Sequence, residues 1–143
     1  MNKVFNFDMD GTIADLYGVE GWLADLEAER VRPYAEAKPL VNMSRLARAL
    51  HKVQHKGYSI AVISCTSKGG SPAYNAEIGE VKKAWLKKHL PSVDWDNIFI
   101  IDYATPKTVC GNGVLFDDEE RHRNAWNGKA YAPDKIFEVL ATV

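Results

Sequence analysis

The sequence has no excess of either charge. Eighteen Lys and Arg stand against nineteen Asp and Glu, a formal charge of −1. That balance argues against a broad electrostatic nucleic-acid binder and leaves room only for a local basic patch. Long hydrophobic runs are also missing: apolar stretches reach four to six residues, too short to span a bilayer. The N-terminus MNKVFNFDMDG meets an acidic residue at position 8, unlike a secretory signal peptide. Only two cysteines occur, Cys65 and Cys110, so no disulfide framework is expected. Neither belongs to a C-x-x-C or C-x-x-H pair, which removes the usual zinc spacings. A reducing cytoplasm is the expected setting. No internal repeat or low-complexity tract is visible.

What is present suits one compact domain. The chain has 143 residues, 46% of them hydrophobic and 26% charged, enough to build a core without long disorder. Val4–Phe7 reads as a buried strand that ends abruptly in Asp8-Met9-Asp10-Gly11. Val19, Trp22, Leu23 and Leu26 then recur at helical spacing. Arg32-Pro33 and Lys38-Pro39 punctuate the following stretch. Met43, Leu46, Ala47, Leu50 and Val53 mark a second helix that stops near Gly57. Tyr58–Ser64 is a second buried strand, followed by a loop from Thr66 to Pro72 rich in Ser, Gly and Lys. Ile78, Val81, Trp85 and His89 mark a third helix. Ile98–Ile101 and Val114–Phe116 are further strands, the latter ending in Asp117-Asp118. A short helix over Glu119–Trp126, an edge strand at Lys129–Tyr131 and a closing helix over Asp134–Ala141 complete the reading.

Apolar runs without strict alternation, separated by helical stripes, predict an α/β fold. Its parallel sheet of about five strands would be covered by helices on both faces. In such sheets ligands bind beyond the carboxyl ends of the strands. Polar residues capable of chemistry follow the apolar runs: Asp8 and Asp10, Ser64 and Thr66, Asp102 or Lys107, and Asp117 and Asp118. Carboxylates gathered at neighbouring strand ends repel one another and are costly to desolvate, so a divalent cation favours them. Oxygen-only ligands with room for water suit Mg²⁺. A lysine and hydroxyls beside that cage would clamp a phosphoryl group.

The tract FDMDGTIAD resembles the first motif of the haloacid dehalogenase-like superfamily of phosphohydrolases. Ser64 resembles its second motif, Lys107 its third, and Asp117-Asp118 its fourth. The stretches EVKKAWLKKHLP and PKTVCGNGVLFDDEERHRNAW look most like the 5'(3')-deoxyribonucleotidase family and its short phage and bacterial relatives. The resemblance implies a three-layer Rossmann-like core and a Mg²⁺-dependent phosphomonoester hydrolase. Asp8 would be the nucleophile and Asp10 the general acid and base. Asp8, the Asp10 carbonyl oxygen and Asp118 would hold the metal, with Asp117 behind them or as an alternative ligand. Ser64, Lys107 and the backbone N–H groups of Met9 and Asp10 would bind the phosphoryl oxygens. Thr66 is the second candidate for the hydroxyl, because Thr66-Ser67 resembles the pair in the mammalian-type enzymes but needs a longer strand. Ser64 is preferred on strand length.

The interval between Asp10 and Ser64 leaves at most a minimal helical cap, around residues 17–38, within a single 1–143 domain. The implied substrate is a small phosphorylated molecule, a nucleotide by resemblance. Alternatives are a polynucleotide end, suggested by the small cap and the Ser-Gly-Lys loop, and a non-catalytic phosphate-binding scaffold. Oligomeric state is not encoded in any feature of the sequence. The four histidines lack metal-like partners, and the four tryptophans read as packing residues. Lys82, Lys83, Lys87 and Lys88 read as the wet face of a helix.

Overall fold

The computed structural model describes residues 3–143. Strand β1 (Val4–Phe7) leads into a short strand β2 (Ala14–Asp15), then helices α1 (Trp22–Glu27) and α2 (Arg32–Glu36) and strand β3 (Lys38–Pro39). Helix α3 (Met43–His55), strand β4 (Ser59–Cys65), helix α4 (Pro72–His89) and strand β5 (Asn97–Ile101) follow. Strand β6 (Val114–Phe116), helix α5 (Glu120–Ala125), strand β7 (Ala130–Tyr131) and helix α6 (Ile136–Leu140) end the chain. The main sheet has the order β5-β4-β1-β6-β7, and every pair in it is parallel.

Alternation along the strands explains the two layers of core. Phe5, Phe7, Ile60, Val62 and Phe116 point to one face, where they meet Leu46, Leu50 and Val53 of α3, Trp85 and Leu86 of α4, and Ile136 and Leu140 of α6. Ile63 and Leu115 point to the other face and meet Trp126. The connections β1-α3-β4 and β4-α4-β5 step outward in one direction, and β6-α5-β7 steps in the other. Right-handed crossovers therefore put α3 and α4 on one side and α5 on the other. The order reverses at β1, so the crevice beyond β1, β4 and β6 is the switch point of the sheet.

The α/β class, the five parallel strands and the helices on both faces agree with the sequence reading. The helix expected from Val19 is shorter, because Gly21 takes a left-handed φ of 76° and Trp22 is the first helical residue. Arg32-Pro33 starts α2 rather than interrupting the chain, with proline in the first turn where its missing N–H costs nothing. Helix α4 begins at Pro72, since Ser71 caps it by accepting the Tyr74 N–H. The closing helix splits into a 3-10 turn over Pro133–Lys135 and α6.

Residues 14–39 form an insertion between β1 and α3. Antiparallel pairing of Ala14 with Pro39 and Asp15 with Lys38 closes its base. Leu16 and Tyr34 of the insertion cluster with Tyr74 and Ile78 of α4, which holds it over the carboxyl rim of the sheet.

Candidate active site

Asp8 is the first residue after β1, and its N–H donates to the Phe116 carbonyl of β6. Gly11 turns the chain back with a φ of 82°, a conformation that favours glycine. A Cβ there would also collide with the Asp118 carboxylate. Thr12, fully buried, ties the loop to two acids. Its hydroxyl lies 3.0 Å from Asp8 Oδ2 and 3.4 Å from Asp118 Oδ1, and it accepts the Asp118 N–H. The Met9 side chain is buried, and its carbonyl accepts the N–H groups of Thr12, Ile13 and Ala14.

Lys107 stands in the 3-10 turn before β6 and is buried. Its ammonium donates to Asp8 Oδ1 at 2.9 Å and to Asp117 Oδ2 at 2.6 Å. Burial disfavours its charge, but the two carboxylates outweigh this and hold the lysine above its usual range. Burial likewise works against the Asp8 charge, yet Lys107 prevails and keeps that carboxyl below the usual range. Asp8 is therefore an ionised carboxylate at neutral pH. Asp117 is fully buried; besides Lys107, it accepts the Glu119 N–H on Oδ1. Burial and the neighbouring Asp8 push its carboxyl up to about 6. Asp118 is pushed to about 8 by burial, by Asp8 and by Asp117.

A second lysine joins the acidic cluster from α4. Lys82 of α4, read from the sequence as a solvated residue, is only 1% exposed. Its ammonium donates to Asp10 Oδ2 at 2.9 Å, Ser64 Oγ at 2.7 Å and the Cys65 carbonyl at 2.6 Å. It also lies 5.0 Å from the centre of the Tyr34 ring. The signal was available in the register: position 82 falls between Ile78 and Trp85 on the apolar stripe of α4, so the helix turns it inward. Asp10 itself is partly open, with 17% of its side chain exposed. Burial raises its carboxyl above the usual range despite Lys82.

The two candidate hydroxyls separate cleanly. Strand β4 continues to Cys65, one residue past the expected end. Ser64 is fully buried and faces Lys82, away from the cavity. Thr66 lies on the cavity wall, and its Oγ1 is buried without a hydrogen-bond partner among the described residues. Of the two, Thr66 is the one on the cavity wall, because β4 runs one residue further than Gly57 suggested.

Asp8, Asp10, Thr66 and Lys107 open on one cavity of about 440 Å³, within the range of small-molecule sites. Leu16, Tyr17, Trp22 and Leu26 of the insertion form an apolar wall of the cavity, and Trp22 and Leu26 also pack against the cluster of Leu16, Tyr34, Tyr74 and Ile78. Lys68, Tyr103, Arg121 and His122 also line the cavity; Lys68 belongs to the Ser-Gly-Lys loop noted in the sequence, and the other three were not singled out there as site residues. His122 Nε2 is 2.8 Å from Glu119 Oε2, and burial with Lys107 nearby holds its imidazole below the usual range.

Carboxylate oxygens of Asp8, Asp117 and Asp118 lie within 4.8 Å of one another. Four aspartates converge here against two lysine ammonium groups, an excess of two negative charges. Burial first, and the crowding of these carboxylates second, raise Asp117 and Asp118. An all-oxygen set with this charge fits a divalent cation such as Mg²⁺.

No family model matches the sequence, and no curated protein matches it. Among solved structures, the D,D-heptose 1,7-bisphosphate phosphatase from Burkholderia thailandensis is similar in fold, with a TM-score of 0.52. The identity is 15%, and the match covers 86% of this chain and 70% of that chain. At this identity the likeness establishes a shared α/β fold alone. Among the described residues, no helix is long and apolar enough to cross a membrane.

Proposed function

We propose that the protein is a Mg²⁺-dependent phosphomonoester hydrolase that works through an aspartyl-phosphate on Asp8. One observation carries the reading. An ionised carboxylate (Asp8), a carboxyl of raised proton affinity (Asp10), a lysine and an unpaired hydroxyl share the floor of one cavity.

Asp8 attacks phosphorus while Lys107 and Thr66 Oγ1 hold the phosphoryl oxygens. Thr12 and Lys107 fix the Asp8 carboxylate from both sides, so the attacking oxygen is oriented before substrate arrives. The phosphorus–oxygen bond to the leaving group breaks, and the leaving oxygen takes the Asp10 proton. Water then gives a proton to Asp10 and attacks the same phosphorus, which releases phosphate and restores both aspartates. Lys82 holds Asp10 Oδ2, leaving Oδ1 for these transfers. The Met9 and Asp10 N–H groups are further donors for the phosphoryl oxygens.

Asp8, Asp118 and the Asp10 carbonyl would hold the cation, with Asp117 behind them gripping Lys107. The ion would supply charge compensation for the anionic ester as it approaches anionic side chains. We assign the 17–38 segment the role of a minimal cap. Nucleotides are the favoured substrate class, because Tyr17 and Trp22 offer an aromatic wall facing the carboxylates. The test is hydrolysis of an aryl phosphate and of nucleoside monophosphates with and without Mg²⁺. Metal-stimulated turnover that disappears in Asp8→Asn is expected; equal turnover in the variant overturns the reading. Binding of phosphate with no turnover of any ester would leave the scaffold alternative.

A further inference from the structure

Loops after three different strands bring two cations and an aromatic ring to one rim of the cavity. Lys68 follows β4, Tyr103 follows β5 and Arg121 lies at the start of α5, beyond β6. The Lys68 ammonium lies 5.8 Å and the Arg121 guanidinium 4.8 Å from the centre of the Tyr103 ring. All three line the cavity that contains Asp8 and Thr66.

These cations differ from the lysines of the floor. Lys107 is neutralised by Asp8 and Asp117, and Lys82 by Asp10. Lys68 makes no ion pair among the described residues. Arg121 reaches only Glu119, at 3.3 Å, and Glu119 is already engaged by His122 at 2.8 Å. Nothing in the cleavage of one phosphoryl group requires two further cations at the rim. Leu16, Tyr17, Trp22 and Leu26 of the insertion line the same cavity. A leaving portion held in this cavity would meet both apolar surface and positive charge.

We propose that Lys68, Arg121 and Tyr103 form a second anion subsite for a phosphate carried on the leaving portion of the substrate. The inference rests on the phosphomonoesterase reading above. A second phosphate can belong to a free bisphosphorylated small molecule or to the first phosphodiester of an oligonucleotide; the chemistry recognised is the same.

The experiment compares four substrates with the full chain and Mg²⁺: an aryl phosphate, a nucleoside 5'-monophosphate, a nucleoside 3',5'-bisphosphate and a 5'-phosphorylated dinucleotide. Wild-type protein is expected to favour the substrates with a second phosphate, and to lose that preference as salt rises. In the Lys68→Ala/Arg121→Ala double variant, KM for those substrates should rise roughly tenfold, with kcat held. The aryl phosphate and monophosphate should be unaffected. An effect on the bisphosphate alone assigns a free small molecule; an effect on the dinucleotide as well assigns a polynucleotide end. No wild-type preference, or an equal loss on all four substrates, overturns the subsite. If no ester is turned over, the phosphatase reading fails. The subsite is then read by titrating the nucleoside 3',5'-bisphosphate into wild-type and double-variant protein. Binding weakened by the variant supports it, and equal binding refutes it.

Discussion

Replacing Lys82 with Met removes a charge while keeping an unbranched side chain of similar length. The ammonium is almost fully buried and has three oxygen partners, Asp10 Oδ2, Ser64 Oγ and the Cys65 carbonyl. Breaking a buried ion pair costs about 3–5 kcal/mol when the remaining charge stays buried and unpaired. Asp10 has 17% of its side chain open to the cavity and can protonate or hydrate, so the lower part of that range applies. A loss of about 3 kcal/mol corresponds to a Tm lower by roughly 6–15 °C. The catalytic effect is separable. Lys82 touches Asp10 but does not line the cavity, so KM should stay near wild type while kcat falls. An unpositioned general acid costs about 10²–10³ in rate. The fall should be greatest for an alkyl phosphate, whose leaving oxygen needs the proton, and smallest for a nitrophenyl phosphate. Lys82 also opposes the burial that raises the Asp10 carboxyl. Its loss raises that group further, moving the alkaline limb of the kcat profile to higher pH. Thermal unfolding and steady-state kinetics on both esters measure this. A lower Tm with equal rate losses on both esters and an unmoved pH profile would refute the positioning role.

The other expectations concern the hydroxyls and the acidic cluster. Thr66→Val should raise KM by about tenfold, the worth of one charge-assisted hydrogen bond, with little change in Tm because Oγ1 has no protein partner to lose. Ser64→Ala should instead lower Tm, since it strips an acceptor from buried Lys82, and leave KM near wild type. The opposite pattern would return the phosphate role to Ser64. In chelator, the protein should be more stable at about pH 5.5 than at about pH 8. Asp117 near 6 and Asp118 near 8 bind protons more tightly folded than unfolded. Their contribution is therefore complete below about pH 4 and is lost as pH rises through those two values. The depressed Asp8 carboxyl acts in the other direction below about pH 4, and the depressed His122 and His89 imidazoles act in the other direction as pH rises to about 6.5, so they offset part of the loss. The difference should be at least about 1 kcal/mol, roughly 3–5 °C, and Mg²⁺ should offset it at the higher pH. Equal Tm at both pH values, with or without the metal, would contradict the charge excess.

Much of this site was legible because a buried parallel strand is apolar until it ends, so the first carboxylate after it marks the rim. Asp8, Asp10, Asp117 and Asp118 stood out for that reason, and Lys107 followed from its place ahead of the acidic pair. The fold was legible from the same contrast. The remainder depended on tertiary register. One extra residue in β4 decides whether Ser64 or Thr66 faces the cavity, and local pattern does not fix a strand end to one residue. Lys82 carries a charge typical of a surface, and its burial follows from partners far away in sequence, Asp10 and Ser64. The rim formed by Lys68, Tyr103 and Arg121 arises only when loops after three strands converge.

The aspartyl-phosphate itself gives the most direct test. Asp10→Asn protein mixed with substrate and Mg²⁺, then quenched in acid, should retain a phosphoryl-mass adduct. Tryptic cleavage should place it on the Val4–Arg30 peptide, at Asp8. The Asp8→Asn/Asp10→Asn protein should show none. Turnover with no adduct in any quench, or an adduct on a residue other than Asp8, would contradict the account.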